Sequence, residues 1–453
     1  MYRKAHGEKK IFVYLIAFGA MAYDVEICTA RAITSESTMT IGARGVPLPD
    51  GFCFLVSRSD GTIVQPAFEF FADAHLTIGP KPKLACSKNT TAAIAADLTD
   101  FHHFLDARKK LVSDVDEDLL RSYADTLTDL DSAVTLDKLA AATIHRRWST
   151  VTKLIAFCVK RGYLRKAPGL LSKQTKRGTV QVLDVDVDLP GLNDADELIT
   201  ALHPETVVGI LDELGPNPVL ERNGLVELAP ATTAQRLMAE LCYHAGLRRA
   251  EVCDLKANTI LQIRTEGRDP LTAVAIPVVG KGNKKRNVPV PVWLLEALKR
   301  YAKGVRQRLI DLRLGYHKLE DHGVLFVLNA NSRKHAGNPI TPQIFDRHFA
   351  QAKDRLLKRL SKELDQARYE STQRERITIH ALRHTFALYT YMEKRANGDM
   401  DAIKYVQSVL GHSLRDTTES IYLRSANAFE SETRESIRLH LEGQPFMRIG
   451  VEA

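Results

Sequence analysis

The chain has 453 residues, 44% of them hydrophobic, with 63 Lys and Arg against 55 Asp and Glu and a formal net charge of +8. A single core seldom covers that length, so two or three domains are expected, and the basic balance favours a polyanionic partner. The six cysteines are scattered with no Cys-x-x-Cys pair, which argues against a disulfide framework or a zinc finger and for a reducing, cytoplasmic setting.

At the N-terminus, Lys9 and Lys10 precede an apolar run from Ile11 to Tyr23. The order is that of a secretory signal, but the run is too short to span a bilayer as a helix and nothing downstream suits export. It reads as a buried or interfacial segment, or as an over-extended start whose true first residue is Met21 or Met39. Between Gly42 and Leu76, the short apolar runs Phe52 to Val56 and Thr62 to Val64 among Gly and Pro predict a small hairpin or an irregular arm. Residues 1–86 thus form an N-terminal extension without an assigned role.

Helical spacing begins after Ser87. Thr90 or Thr91 can cap a helix whose Ile94, Leu98, Phe101 and Leu105 share one face. A second helix is predicted from Asp116 to Leu130, with Leu119, Leu120, Tyr123 and Leu127 inward. The third runs from Ala142 to Arg161 with Ile144, Trp148, Val151, Ile155 and Val159 buried. On that third helix Arg146, Lys153 and Lys160 recur every seven residues and define a basic face, either a clamp on DNA phosphates or a solvated surface. Residues 87–170 are accordingly a helical domain. The tract from Arg165 to Glu197 mixes Pro and Gly with Lys173, Lys176 and Arg177 and lacks helical periodicity, so 171–200 is drawn as a basic linker.

A second domain, 201–443, opens with Pro204 in a first helical turn, followed by Val207, Ile210, Leu211 and Leu214. A helix from Thr232 to Ala245 stops at Gly246. Arg248 and Glu251 follow, three apart, so that the carboxylate can orient the guanidinium. Strands are predicted over Ala273 to Val279 and Asn287 to Val292, joined by the basic turn Gly280-Lys281-Gly282-Asn283-Lys284-Lys285, with Lys284, Lys285 and Arg286 placed to meet DNA. Val324 to Leu328 reads as a buried strand or extended run. Thr341-Pro342 starts a long helix through Phe345, Phe349, Ala352 and Leu356. A further helix carries His380 and Arg383 on one face as a compact anion site, and a short one, Ile403 to Leu410, stops at Gly411 so that His412 follows a sharp helix end. Thr417 or Thr418 can cap a helix that holds Tyr422. An amphipathic helix through Phe429, Thr433, Ile437 and Leu441 precedes a tail, 444–453. Taken singly, Tyr422 is a core tyrosine and His412 a loop residue; the set of an Arg pair, two His and a Tyr asks for more.

In this order, Ala245-Gly246-Leu247-Arg248-Arg249-Ala250-Glu251-Val252, then Gly280-Lys281-Gly282-Asn283-Lys284-Lys285-Arg286, His380-Ala381-Leu382-Arg383-His384-Thr385, Leu410-Gly411-His412-Ser413 and Thr417-Thr418 before Ile421-Tyr422 resemble the tyrosine recombinase (phage integrase) family. The helical module from Thr90 to Pro168 resembles that family's core-binding domain. The resemblance implies a mainly α fold with a small antiparallel sheet: a helical, SAM-like core-binding domain and a mixed α/β catalytic domain that close around double-stranded DNA. It also implies a homotetramer on two DNA sites, with no membrane partner, cofactor or metal.

Breaking a phosphodiester without a metal requires a nucleophile, a proton donor for the leaving 5′-oxygen, and positive charge at the non-bridging oxygens. A tyrosine supplies the first and stores the bond as a phosphotyrosine; Arg248 and Arg383 supply the last. By resemblance, Lys281 is the general acid, His380 moves the tyrosine proton, His412 bonds the phosphate and Glu251 supports the arginines. In the family pattern the histidine and tyrosine stand nine apart, whereas His412 and Tyr422 are ten apart, so a residue near Glu419 or Ser420 must be absorbed by a bulge or helix shift. Tyr405 is less suited as nucleophile. A type IB topoisomerase-like nicking and closing enzyme would need the same residues, and a DNA-binding protein of the same fold that has lost cleavage would keep most of them.

Overall fold

The computed structural model describes residues 25–30, 40–41, 46–77, 83–131, 138–175, 178–190, 201–222, 225–280, 284–363 and 366–411. The apolar run before Tyr23, the turn residues Lys281 to Asn283, and everything from His412 onward, including Tyr422 and the C-terminal helix, lie outside these residues. The chain divides into two compact units, Met1–Asn193 and Asp194–Ala453.

In the first unit the initial strands are β1 (Val25–Thr29), the two-residue β2 (Thr40–Ile41) and β3 (Val46–Pro47), and β4 (Cys53–Ser57). β1 pairs antiparallel with β4, from Val25 opposite Ser57 to Thr29 opposite Cys53, and β2 pairs with β3. Helix α1 (Gln65–His75) starts with Pro66 in its first turn, where a missing N–H is harmless. It leads into the short ladder of β5 (Leu76–Thr77) with β6 (Lys83–Leu84). Three longer helices follow. α2 (Lys88–Ala107) is capped by Ser87, which accepts from the Thr90 amide, one turn earlier than either predicted threonine. Asp116 caps α3 (Glu117–Asp129), accepting from the Leu119 amide at 3.0 Å. α4 (Ala141–Arg161) closes on Gly162 at φ 72°.

These elements share one core. Phe52, Phe54, Phe70 and Phe71 belong to the same buried cluster as Leu98, Phe101, Leu105, Leu120, Tyr123, Leu127, Val151 and Ile155, and the Phe70 and Phe157 rings lie 5.9 Å apart. The described residues among 46–76, with β1, are therefore built into the same core as the helices. The sign of α1 is Ala67, Phe70 and Phe71 at i, i+3 and i+4, all buried. The tract drawn as a linker holds a hairpin, β7 (Leu170–Thr175) against β8 (Gly178–Leu183), with Thr175 opposite Gly178. Its Gly and Pro residues punctuate a ladder rather than a tether.

The basic face of α4 is only partly as expected. Lys153 and Lys160 are exposed, but Arg146 Nη1 donates to the Asp97 carboxylate, which is 2% exposed and also accepts from Thr150 Oγ1 at 3.0 Å. Burial pushes the Asp97 carboxyl up, with Arg146 opposing. A buried carboxylate needs a partner, so Arg146 is a structural ion pair first.

The second unit runs α5 (Pro204–Leu214), β9 (Val219–Arg222), β10 (Leu225–Leu228), α6 (Ala234–Ala245), α7 (Arg249–Asp254), α8 (Ala257–Leu261), β11 (Ala273–Val279), β12 (Lys285–Pro291), α9 (Val292–Tyr301), α10 (Gln307–His317), α11 (Pro342–Lys362), α12 (Gln366–Arg374), α13 (Ile379–Ala396) and α14 (Ala402–Leu410). β9 pairs with β10 and β11 with β12, each antiparallel. Thr233, Thr341 and Thr378 cap α6, α11 and α13 through their hydroxyls. Leu325, Phe326 and Val327 are buried, but the run makes only isolated bridges at Val324 and Val327, so it is extended rather than a strand. The expected fold class holds: mainly helical, with small antiparallel sheets.

α6 is the axis of this unit, packed against α5, α7, α9, α13 and β12. All its residues except Gln235 are buried, as befits a helix enclosed on every side. Its buried charged residues are consequently paired, within the helix and with α5. Arg236 Nε donates to Glu240 Oε1 at 2.5 Å, His244 Nε2 lies 3.1 Å from Glu240 Oε2, and Arg236 Nη1 reaches Asp212 at 3.0 Å. Burial alone would raise the Glu240 carboxyl, but Arg236 and His244 hold it down at about 2, against an ordinary 4.5. A carboxyl depressed by folding stabilises the fold above its unfolded value and ceases to do so as pH falls through the folded one. Acid unfolding of the full chain followed by circular dichroism is thus expected to lose stability between pH 4.5 and about 2, and Glu240→Gln to flatten that limb.

Candidate active site

The site starts where α6 ends. Gly246 takes φ 60°, and a Cβ there would stand 2.5 Å from Phe386 and 3.0 Å from Leu410, so only glycine lets the chain turn this close to α13 and α14. The turn delivers Arg248 to the start of α7, and Glu251, in the first turn of α7, reaches back to accept the Arg248 amide at 2.8 Å. This is one half of a capping box. The same carboxylate accepts Arg248 Nη1 at 3.0 Å.

Two more arginines meet Glu251 from distant segments. Arg286, on β12, donates through Nη1 to Oε1 at 2.7 Å and through Nη2 to Oε2 at 2.8 Å, a bidentate fork, while its Nε donates to the Val409 carbonyl at 2.8 Å. Arg383, on α13, lies 3.9 Å from Glu251 through Nη1. It donates to the Gly246 carbonyl and, at 2.7 Å, to the Leu410 carbonyl. These are unsatisfied carbonyls at the ends of α6 and α14, where positive charge is favourable. Glu251 is 4% exposed, Arg383 2%, Arg286 11% and Arg248 29%, so Arg248 alone of the three arginines has an open edge. Burial works against ionisation of Glu251, but hydrogen bonds from Arg286 and from the Arg248 amide hold its carboxyl below the ordinary range.

Three guanidiniums share one carboxylate, so these four side chains together are net positive. His380, in the first turn of α13, is solvent-accessible, yet the surrounding protein and the charges of Arg383, Arg248 and Arg249 push its imidazole below 6.5. Its ring meets that of His384 edge-on at 4.3 Å. Its imidazole is thus held toward the neutral form beside this cationic cluster. Among the described residues no group of three His, Cys, Asp or Glu is placed to hold a metal ion, and no helix is long and apolar enough to cross a membrane.

The structure therefore brings together Arg248, Glu251, His380 and Arg383, while Lys281, His412 and Tyr422 lie outside the described residues. Lys284 and Lys285 are exposed at the base of the β11–β12 turn. Arg286 departs from the expectation of a DNA contact, its guanidinium being turned inward. The signal was available: Arg286, Val288 and Val290 alternate along β12, and both valines are fully buried.

The sequence profile of the phage integrase family matches residues 219–428, and that of the phage integrase N-terminal SAM-like domain matches 83–162. This chain belongs to the phage integrase family. Among curated family members, tyrosine recombinase XerC of Myxococcus xanthus is 26% identical over 362 residues, 79% of this chain and 93% of its own. Tyrosine recombinase XerA of Thermococcus onnurineus is 31% identical over 222 residues, 49% and 61% of the two chains. Among solved structures, a XerH site-specific recombinase bound to a palindromic difH substrate aligns over 76% of this integrase-family chain and 80% of its own, at 18% identity and a TM-score of 0.45.

Truncating Glu251 would leave Arg286 buried beside Arg383 with no counter-charge. Glu251→Ala is expected to destabilise the second unit by about 3–5 kcal/mol, read by urea unfolding of the full chain.

Proposed function

We propose that this chain is a site-specific DNA recombinase that cleaves and rejoins duplex strands through a 3′-phosphotyrosine. The observation that carries the reading is the convergence of Arg248 and Arg383 on one buried carboxylate, with His380 beside them and its pKa lowered by burial and their charges. The phenolic oxygen of Tyr422 attacks the scissile phosphorus and gives its proton to His380. The bond from phosphorus to the 5′-oxygen breaks, and that oxygen takes a proton from Lys281. One phosphoester replaces another, so religation by a 5′-hydroxyl needs no ATP. Arg248 donates to a non-bridging oxygen through its open edge, Arg383 adds its charge from beneath, and His412 bonds the same phosphate. Lys153, Lys160, Lys284 and Lys285 track the DNA backbone. The working form is a homotetramer on two sites in the cytoplasm.

The interval of ten residues from His412 to Tyr422 favours one second reading, a DNA-binding protein of this fold that has lost cleavage. A nicked suicide duplex, its site taken from a random pool by binding selection, separates the two. The recombinase reading expects a denaturant-resistant protein–DNA adduct that disappears in Tyr422→Phe. Specific binding without adduct from the unaltered chain would support the binder, and relaxation of any plasmid without exchange between paired sites would point to a topoisomerase-like activity.

The state of His380 sets a pH profile. Burial and the charges of Arg383, Arg248 and Arg249 lower its pKa, so the acid limb of single-turnover adduct formation is expected to lie at lower pH than that of an ordinary histidine base. Arg248→Ala should slow the same step about 10²–10³-fold, the usual cost of one preorganised donor to a developing oxyanion.

A further inference from the structure

Arg286 touches three described segments that lead into the site, α7, the β11–β12 hairpin and the end of α14. Besides its fork on Glu251 and its bond to the Val409 carbonyl, it packs against two glycines. A Cβ on Gly280 would stand 2.9 Å from Arg286 Nη1 and 3.0 Å from Glu251 Oε1, and one on Gly411 would stand 3.0 Å from Arg286 Cδ. Gly280 directly precedes Lys281 and Gly411 directly precedes His412. One side chain thus lies under the backbone at both places where the chain departs toward these residues, and it is bonded to the carboxylate that orients Arg248.

We infer that Arg286 is a positioning residue: it locks the α7 turn, the β11–β12 hairpin and the end of α14 into one register, so that residues on three separate segments meet one phosphate. This rests on the recombinase reading for its chemistry but not for its geometry. The planar fork is what the place requires, because three contacts in different directions are made by three nitrogens of one rigid group. A lysine there keeps the charge and can hold only part of that set. Being held off the solvent, the guanidinium itself is not offered to DNA.

The test uses the full-length protein with Arg286→Gln and Arg286→Lys, on a duplex selected from a random pool and made as a nicked suicide substrate. Both variants are expected to bind this duplex within about threefold of the unaltered chain, because Arg286 makes no phosphate contact. Arg286→Gln should form the adduct about 10²-fold more slowly, the scale of a misplacement of roughly 1 Å, with Arg286→Lys intermediate. A second substrate carries sulfur in place of the bridging 5′-oxygen. A thiolate leaves without needing a proton, so part of the lost rate should return for Arg286→Gln and none for Arg248→Ala. Hydrogen exchange without DNA gives a readout independent of cleavage: the amides of Gly280 and Gly411, which donate to Lys284 and Gln407, should exchange faster in Arg286→Gln while the first unit keeps its protection.

Unchanged exchange at both glycines overturns the inference whatever the enzyme does. So does equal slowing on the oxygen and sulfur substrates with a lowered melting temperature, since that marks loss of stability alone. An unaltered chain that forms no adduct defeats the recombinase reading instead, and exchange then decides the role of Arg286.

Discussion

The second unit depends on one carboxylate. Glu251 is almost completely buried, and a charge in that position persists only when it is paired and hydrogen-bonded. Its partners come from the start of α7, from β12 and from α13, which together span more than a hundred residues of chain, so the ion pairs double as tertiary links. The converse also holds. Three guanidiniums within a few ångströms of each other would repel one another apart without a shared anion, and the carboxylate lets them crowd while cancelling only part of their charge. What remains is a positive centre whose exposed corner is Arg248.

The arginines work on the backbone as well. Val409 and Leu410 at the end of α14 each give a carbonyl to a guanidinium, and Gly246 at the end of α6 gives another. Helix ends are where carbonyls lack partners, so the ends of α6 and α14 and the positive centre complete each other. Glycines at 246 and 411, both with φ near 60°, permit the close approach. The fold thus satisfies its own helix ends with the side chains that make the centre cationic.

Much of this was legible in the sequence. Hydroxyl caps and terminal glycines placed α6, the start of α11 and α14 within a residue or two, and helical spacing brought Arg248 to Glu251 and His380 to the face of Arg383. What escaped depends on contacts far along the chain. That Arg146 answers a buried carboxylate 49 residues away cannot be read from a seven-residue repeat on its own helix. Arg286 was assigned by its basic neighbours, although the alternation of β12 pointed it inward. The hairpin of β7 and β8 was hidden by Gly and Pro, which mark turns and tethers alike.

The family's SAM-like profile begins at residue 83, yet the core it describes does not. Phe52, Phe54, Phe70 and Phe71 fill the space against α2 and α4, and β1 closes over the same cluster. Kinship and cooperative folding therefore have different borders here: a fragment cut where the family profile begins would bare Phe157, which meets Phe70, to water, so what looks by ancestry like an appendage is, thermodynamically, one wall of the house.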